Sequence, residues 1–116
     1  MPTFEPGQTI RVPFPYTDRS AHQRRPALVV SRGAIGENDG LLWVVMITSA
    51  ENRAWPGDLS LAEDLVAAGL SAPSVVRPCK IATIQAADVS PLGQVSPAMT
   101  ERVLAATRAY LGDAHD

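Results

Sequence analysis

The stretch that most restricts the fold is Arg24-Arg25-Pro26-Ala27-Leu28-Val29-Val30-Ser31, a doubled arginine fixed by a proline and run directly into apolar, β-branched residues. A proline disfavours helix at the residue before it, so Arg25 is expected to be extended at the mouth of a strand. The residues that follow have the branched side chains that suit a packed sheet. A guanidinium is thereby held at the edge of a rigid element. An arginine before a proline is most often only a solvated residue closing a loop, so the rest of the chain has to decide its role.

With 116 residues, 46% of them hydrophobic and 19% charged, the chain is sized for a single domain, residues 1–116, around one core. No window approaches the roughly 18 to 20 unbroken apolar residues of a membrane span. The start, Met1-Pro2-Thr3-Phe4-Glu5, lacks the basic and then apolar order of a signal peptide, and the expected location is the cytoplasm, with no membrane contact. The lone cysteine, Cys79, excludes an internal disulfide and cannot by itself form a cysteine-based zinc site. A net charge of −2 argues against a uniformly basic nucleic-acid coat. It leaves room for a local basic face, because Arg11, Arg19, Arg24, Arg25 and Arg32 crowd the first third of the chain while the later part carries most of the aspartates.

In chain order, residues 8–14 alternate as a strand with Ile10, Val12 and Phe14 on one face, and Pro13 and Pro15 mark it as an edge or a bulge. A polar loop containing Thr17, Asp18, Ser20 and His22 leads to the second strand, 26–31, and a glycine-containing loop spans 33–40. The apolar run Leu41-Leu42-Trp43-Val44-Val45-Met46-Ile47 is expected to be the central strand, with Trp43 in the core, and it stops at the hydroxyls of Thr48 and Ser49. A short strand follows at 58–61, then one helical turn or a wide loop at 63–70. Residues 74–77 and 79–84 are extended on either side of Pro78, where a bend or an edge is expected. After a turn and a brief strand near Val95 comes the one helix. Ser96 is its N-cap, Pro97 its first residue and Gly112 its terminator. Met99, Val103, Leu104, Ala106, Tyr110 and Leu111 form the face expected to dock on the sheet. The expected architecture is mainly β with a C-terminal helix, a small and strongly curved barrel.

Most familiar catalytic constellations are missing. The sequence has no glycine-rich phosphate loop and no His-x-x-x-His or Cys-x-x-Cys spacing, so neither a metal nor a cofactor is expected. A serine nucleophile would need a base, for which His22 is the one well-placed histidine.

Four blocks together carry a resemblance: Gly7 followed by Ile10-Arg11-Val12-Pro13-Phe14-Pro15; Arg25-Pro26-Ala27-Leu28-Val29-Val30-Ser31; Val45-Met46-Ile47-Thr48-Ser49; and Pro73-Ser74-Val75-Val76-Arg77-Pro78 with Ile81-Ala82-Thr83-Ile84. In this order they resemble the MazF/PemK family of toxin endoribonucleases. The resemblance implies an SH3-like barrel that forms a homodimer and cuts single-stranded RNA without a metal. It also implies a cognate antitoxin whose tail occupies the RNA groove. The family's catalytic arginine falls on Arg25, and the hydroxyl ending its long strand falls on Thr48. In the implied reaction the ribose 2'-hydroxyl attacks the adjacent phosphorus, leaving a 2',3'-cyclic phosphate and a 5'-hydroxyl. His22, Arg24, Ser49, Arg53, Arg77 and Lys80 are the candidates for the RNA-facing shell, and Trp55, in its Pro-Gly turn, is a candidate for base stacking or antitoxin contact.

The chain departs from the family pattern at Cys79, where relatives often carry an acidic residue facing the groove, and at Gln8, where an acidic residue usually follows the first glycine. Two other readings use the same fold. One is a non-catalytic binding module, and the other is a CcdB-like toxin that acts by binding gyrase. The pairing of Arg25 with Thr48 favours the ribonuclease, since neither alternative needs both.

Overall fold

The computed structural model describes residues 3–13 and 24–112. The polar loop, with His22, and the end of the first expected strand at Phe14 lie outside the described residues. Six strands form one sheet: β1 (Gln8–Pro13), β2 (Arg24–Val29), β3 (Leu41–Ser49), β4 (Leu59–Ser60), β5 (Ser74–Gln85) and β6 (Ser90–Gln94). Their order is β4-β5-β3-β2-β1-β6, antiparallel at every step. The single α-helix, α1, is Pro97–Leu111.

Successive side chains of a strand point to opposite faces, and here both faces are apolar. On one face Ile10, Val12, Ala27, Val29, Leu42, Val44, Met46 and Ile84 make one core. On the other, Leu28, Val45, Ile47 and Val76 pack with Val95, Met99, Val103 and the Leu61 to Ala68 segment. The unbroken apolar run of β3 is explained by this arrangement, because a strand covered on both faces has no reason to alternate.

The sheet's free edges are bridged by irregular chain. The segment leaving β4 runs across to β6, where the Gln94 amide donates to the Ala67 carbonyl at 2.9 Å. The Thr9 hydroxyl of β1 donates to the Ala68 carbonyl at 2.7 Å. The curled sheet is thus nearly closed into a barrel. Gly93 permits the closest approach, since a Cβ there would lie 2.2 Å from the Ala67 carbonyl oxygen. Gly93→Ala is therefore expected to destabilise the fold by about 1 to 3 kcal/mol, read as a lowered urea midpoint.

The sheet contains one large irregularity. Val45 pairs with Ile81, yet its neighbour Met46 pairs with Arg77, so Pro78, Cys79 and Lys80 bulge from β5. Proline has no N–H to give to a ladder and suits that position. What the sequence suggests as two extended pieces is one strand with a bulge.

The helix begins and ends as expected. The Ser96 hydroxyl accepts from the Met99 amide at 3.2 Å, Pro97 opens the first turn, and Gly112 closes the last at φ 88°. Its apolar face is narrower than the spacing suggests. Met99, Val103 and Thr107 are buried, whereas Tyr110 and Leu111 are 56% and 68% exposed. Thr107 can lie in the interface because its hydroxyl donates back to the Val103 carbonyl at 2.9 Å. Trp43 also departs from expectation, being 44% exposed. It lines a groove with Val30, Ile81, Leu104 and Leu111, because α1 covers only part of that face.

Candidate active site

The register between β2 and β3 pairs Ala27 with Met46, and both side chains belong to the core built around Ile10 and Val12. Two residues further along each strand are Arg25 and Thr48. Alternation puts both on the face that carries this core, just beyond the Ala27–Met46 pair at which the β2–β3 ladder ends. The core ends between these two rows: Ala27 and Met46 are buried, Thr48 is half-buried and Arg25 is exposed. Among the described residues no hydrogen bond engages the Arg25 guanidinium. A cation and a hydroxyl are therefore both carried on this face at the rim of the apolar floor.

A wall rises beside them from the loop joining β3 to β4. Arg77 pairs with Met46, which puts it on the same face one row below Thr48. Its guanidinium is 4.2 Å from the centre of the Trp55 ring, and Nε and NH2 donate to the two carboxylate oxygens of Asp58 at 2.9 and 3.0 Å. NH2 also donates to the Arg53 carbonyl at 3.0 Å. Asp58 accepts the Trp55 amide as well, at 3.0 Å. Lys80, on the bulge, lies 5.8 Å from the same ring. The Trp55 indole is fixed between β5 cations and the turn that carries it.

The six residues named for the RNA-facing shell are thus in different situations. Lys80, Arg53 and Ser49 are exposed near Trp55 and Thr48. Arg77, named for the same shell, is only 6% exposed and its guanidinium is committed to Asp58. Arg24 alternates to the opposite face from Arg25. Its NH2 group donates to the Asp88 carbonyl at 2.9 Å and to the Ser90 hydroxyl at 3.1 Å, holding β6 against its neighbour. His22 is outside the described residues. Cys79 is exposed on the bulge.

Two residues of this site were not legible in the sequence. Asp58 follows Trp55-Pro56-Gly57 and reads as the start of a short strand; the available signal was an acceptor three residues after a turn's first amide. Asn52, whose Nδ2 donates to the Thr48 hydroxyl at 2.7 Å, sits in an undistinguished Glu-Asn-Arg triplet. Among the described residues, no three His, Cys, Asp or Glu side chains gather as a metal site would require.

The Arg77 guanidinium beside Asp58 holds that carboxyl below the usual carboxylate range, against a smaller opposing effect of burial. A depressed folded-state pKa contributes stability above the unfolded value of about 3.9. That contribution is lost as the pH falls through the folded value. The stability advantage of the wild type over Asp58→Asn is therefore expected to be complete at neutral pH. It should shrink below about pH 4, as measured by urea midpoints at a series of pH values.

The family profile for the PemK-like, MazF-like toxin of type II toxin-antitoxin systems matches residues 5–111. The chain belongs to this toxin family. No curated protein matches it. Among solved structures it resembles MazF (Form-I) of Deinococcus radiodurans, with a TM-score of 0.75 at 21% identity over 97% of this chain and 99% of that one. The MazE-MazF complex (Form-II) of the same organism gives 0.72 at 22% identity, covering 97% and 98%. An endoribonuclease in complex with its cognate antitoxin, from a mycobacterial species, gives 0.70 at 23%, covering 93% and 94%. These likenesses establish the fold, a curled antiparallel sheet with a C-terminal helix. No helix among the described residues of this toxin-family chain is long and apolar enough to cross a membrane.

Proposed function

We propose that this member of the toxin family is a sequence-specific endoribonuclease that cleaves single-stranded RNA without a metal ion and is inhibited by a cognate antitoxin. The observation that supports the reading is the Ala27–Met46 pair that ends the β2–β3 ladder, from which Arg25 and Thr48 each lie two residues further on, by alternation on the same face of the sheet. The nucleophile, the ribose 2'-hydroxyl, belongs to the substrate, so no metal-bound hydroxide is needed. The protein has to hold the scissile phosphate in line and stabilise the charge that grows on it.

In this mechanism the 2'-oxygen attacks phosphorus, its proton leaves to solvent or a base, and the P–O5' bond breaks as the departing oxygen gains a proton. The products are a 2',3'-cyclic phosphate and a 5'-hydroxyl. The Arg25 guanidinium donates to the non-bridging oxygens of the phosphorane, where its fork geometry and permanent charge count most. Thr48 donates from the other side. Trp55, braced by Arg77, offers a face on which an unstacked base can lie, and such bases are available only in single strands. Lys80, Arg53 and Ser49 flank the path of the backbone.

The antitoxin is proposed to lie along the same face and block it. The groove of Trp43, Ile81, Leu104 and Leu111, an apolar surface left open by α1, is where a homodimer would bury area. A toxin acting on cellular RNA in this way would work in the cytoplasm.

The deciding experiment is incubation of the purified protein with a long single-stranded RNA transcript in EDTA, with the ends of the fragments mapped. Cuts at a recurring short sequence, leaving cyclic-phosphate and 5'-hydroxyl ends, are expected. Folded, antitoxin-free protein that leaves varied transcripts intact would overturn the proposal.

A further inference from the structure

The end of β3 turns back on itself in a way the reaction scheme above does not use. The Ser49 carbonyl accepts the Asn52 amide at 3.1 Å, and the Ser49 hydroxyl accepts the Glu51 amide at 3.1 Å. This tight turn returns the Asn52 side chain to the strand it has just left. There its Nδ2 donates to the Thr48 hydroxyl oxygen at 2.7 Å.

A threonine hydroxyl has one proton to give and two lone pairs to offer. With one lone pair held by an amide N–H, the Thr48 proton cannot point toward Asn52 and is turned to the other side of the oxygen. We infer that Asn52 is a positioning residue that holds the Thr48 hydroxyl as a hydrogen-bond donor to a phosphate oxygen of the RNA. The inference rests on the ribonuclease reading of the site. No bond to Thr48 is made or broken, and its proton stays on the hydroxyl throughout. Asn52 acts only through Thr48, and in selecting a donor it works against any use of that hydroxyl as an acceptor.

Reversing the polarity of this contact tests it. In Asn52→Asp the carboxylate at neutral pH can only accept, so the Thr48 proton is drawn to it and withdrawn from the phosphate. Single-turnover cleavage of a long single-stranded transcript in EDTA should then fall roughly a hundredfold, about as far as in Thr48→Ala. Asn52→Ala, which merely frees the hydroxyl to rotate, should lose only about fivefold to tenfold. Added to Thr48→Ala, Asn52→Asp should cost nothing further, because its target is gone. Its deficit relative to wild type should also narrow as the pH approaches about 4, where the acid regains a proton to donate. A merely structural role for Asn52 would produce none of this pH dependence.

Asn52 is exposed in its turn, so these variants are expected to keep the wild-type urea midpoint. Wild-type cleavage with Asn52→Asp equally fast, or with losses that multiply in the double variant, would overturn the role of Asn52 alone. A wild type that cuts no RNA would overturn the ribonuclease reading itself and this inference with it.

Discussion

Arg25→Ala is expected to lower RNA cleavage by roughly 10²- to 10³-fold without unfolding the protein. The two halves of this expectation have separate origins. Arg25 is exposed at the point where the Ala27–Met46 core ends, its backbone is already extended ahead of Pro26, and among the described residues its side chain bonds to nothing. Truncation therefore removes no packing and orphans no buried group. What it removes is the exposed cation at that rim, which in the proposed mechanism, with its nucleophile on the substrate, is the protein's main contribution to the transition state. Arg25→Lys is expected to recover little, because an ammonium cannot grip two phosphate oxygens in the plane that a guanidinium offers. Single-turnover cleavage, with a urea midpoint recorded for each variant, separates chemistry from stability. Full activity in folded Arg25→Ala would move the reaction centre away from the β2–β3 rim.

Arg77→Ala should have the opposite signature, with stability falling first. The side chains of the Arg77–Asp58 pair are 8% and 11% exposed, and Asp58 also receives the Trp55 amide. Removing the arginine leaves a carboxylate nearly buried without its partner, which costs about 3 kcal/mol or more. It also leaves the Arg53 carbonyl without its donor and the Trp55 ring without the cation packed on it. The cycle with Asp58→Ala distinguishes a true pair from two independent effects: if the carboxylate is the burden, removing it as well should recover part of the loss. Urea unfolding at neutral pH gives the energies. Trp55 emission, followed in a Trp43→Phe background, reports whether the loop has lost its seat. An Arg77→Ala protein as stable as wild type would mean the pair is no more than a surface contact.

The elements that could be read from the sequence are those whose signals are local. Ser96, Pro97 and Gly112 specify a helix by chemistry within a few residues of its ends, and the apolar run of β3 needs no knowledge of its neighbours to be recognised as interior. Pro78 likewise announces a break in a ladder, though not that three residues would bulge around it. The readings that changed all depend on what lies across the fold. Trp43 is apolar and sits in an apolar run, yet a helix that covers only part of the sheet leaves it at the surface, and periodicity cannot say how far a helix reaches. Tyr110 and Leu111 are exposed for the same reason. Arg77 looks like any arginine beside a proline until a turn from β3–β4 delivers Asp58 to it. Arg24 and Arg25 are neighbours of identical chemistry, and only strand alternation makes the first a brace on β6 and leaves the second exposed at the rim of the other face. Arg25 and Thr48 were singled out because their blocks resemble a family; the structure adds that each lies two residues beyond the Ala27–Met46 pair of β2 and β3.

The pairing of β1 with β6 bears on how the molecule comes into being. Gln8 lies against Gln94, so the first strand made waits for the last before one of its edges is satisfied. Contacts between such distant parts of a chain carry a large closure entropy and fold slowly. During synthesis the nascent polypeptide can assemble β2, β3 and β5, but the barrel stays open until residues near 94 have cleared the ribosome. An early-terminated product lacking β6 would leave Thr9 and the Ala67–Ala68 segment without their cross-barrel setting. Truncated translation products should accordingly fold poorly and be good substrates for proteases, which confines any toxicity to chains that have been made almost to their end.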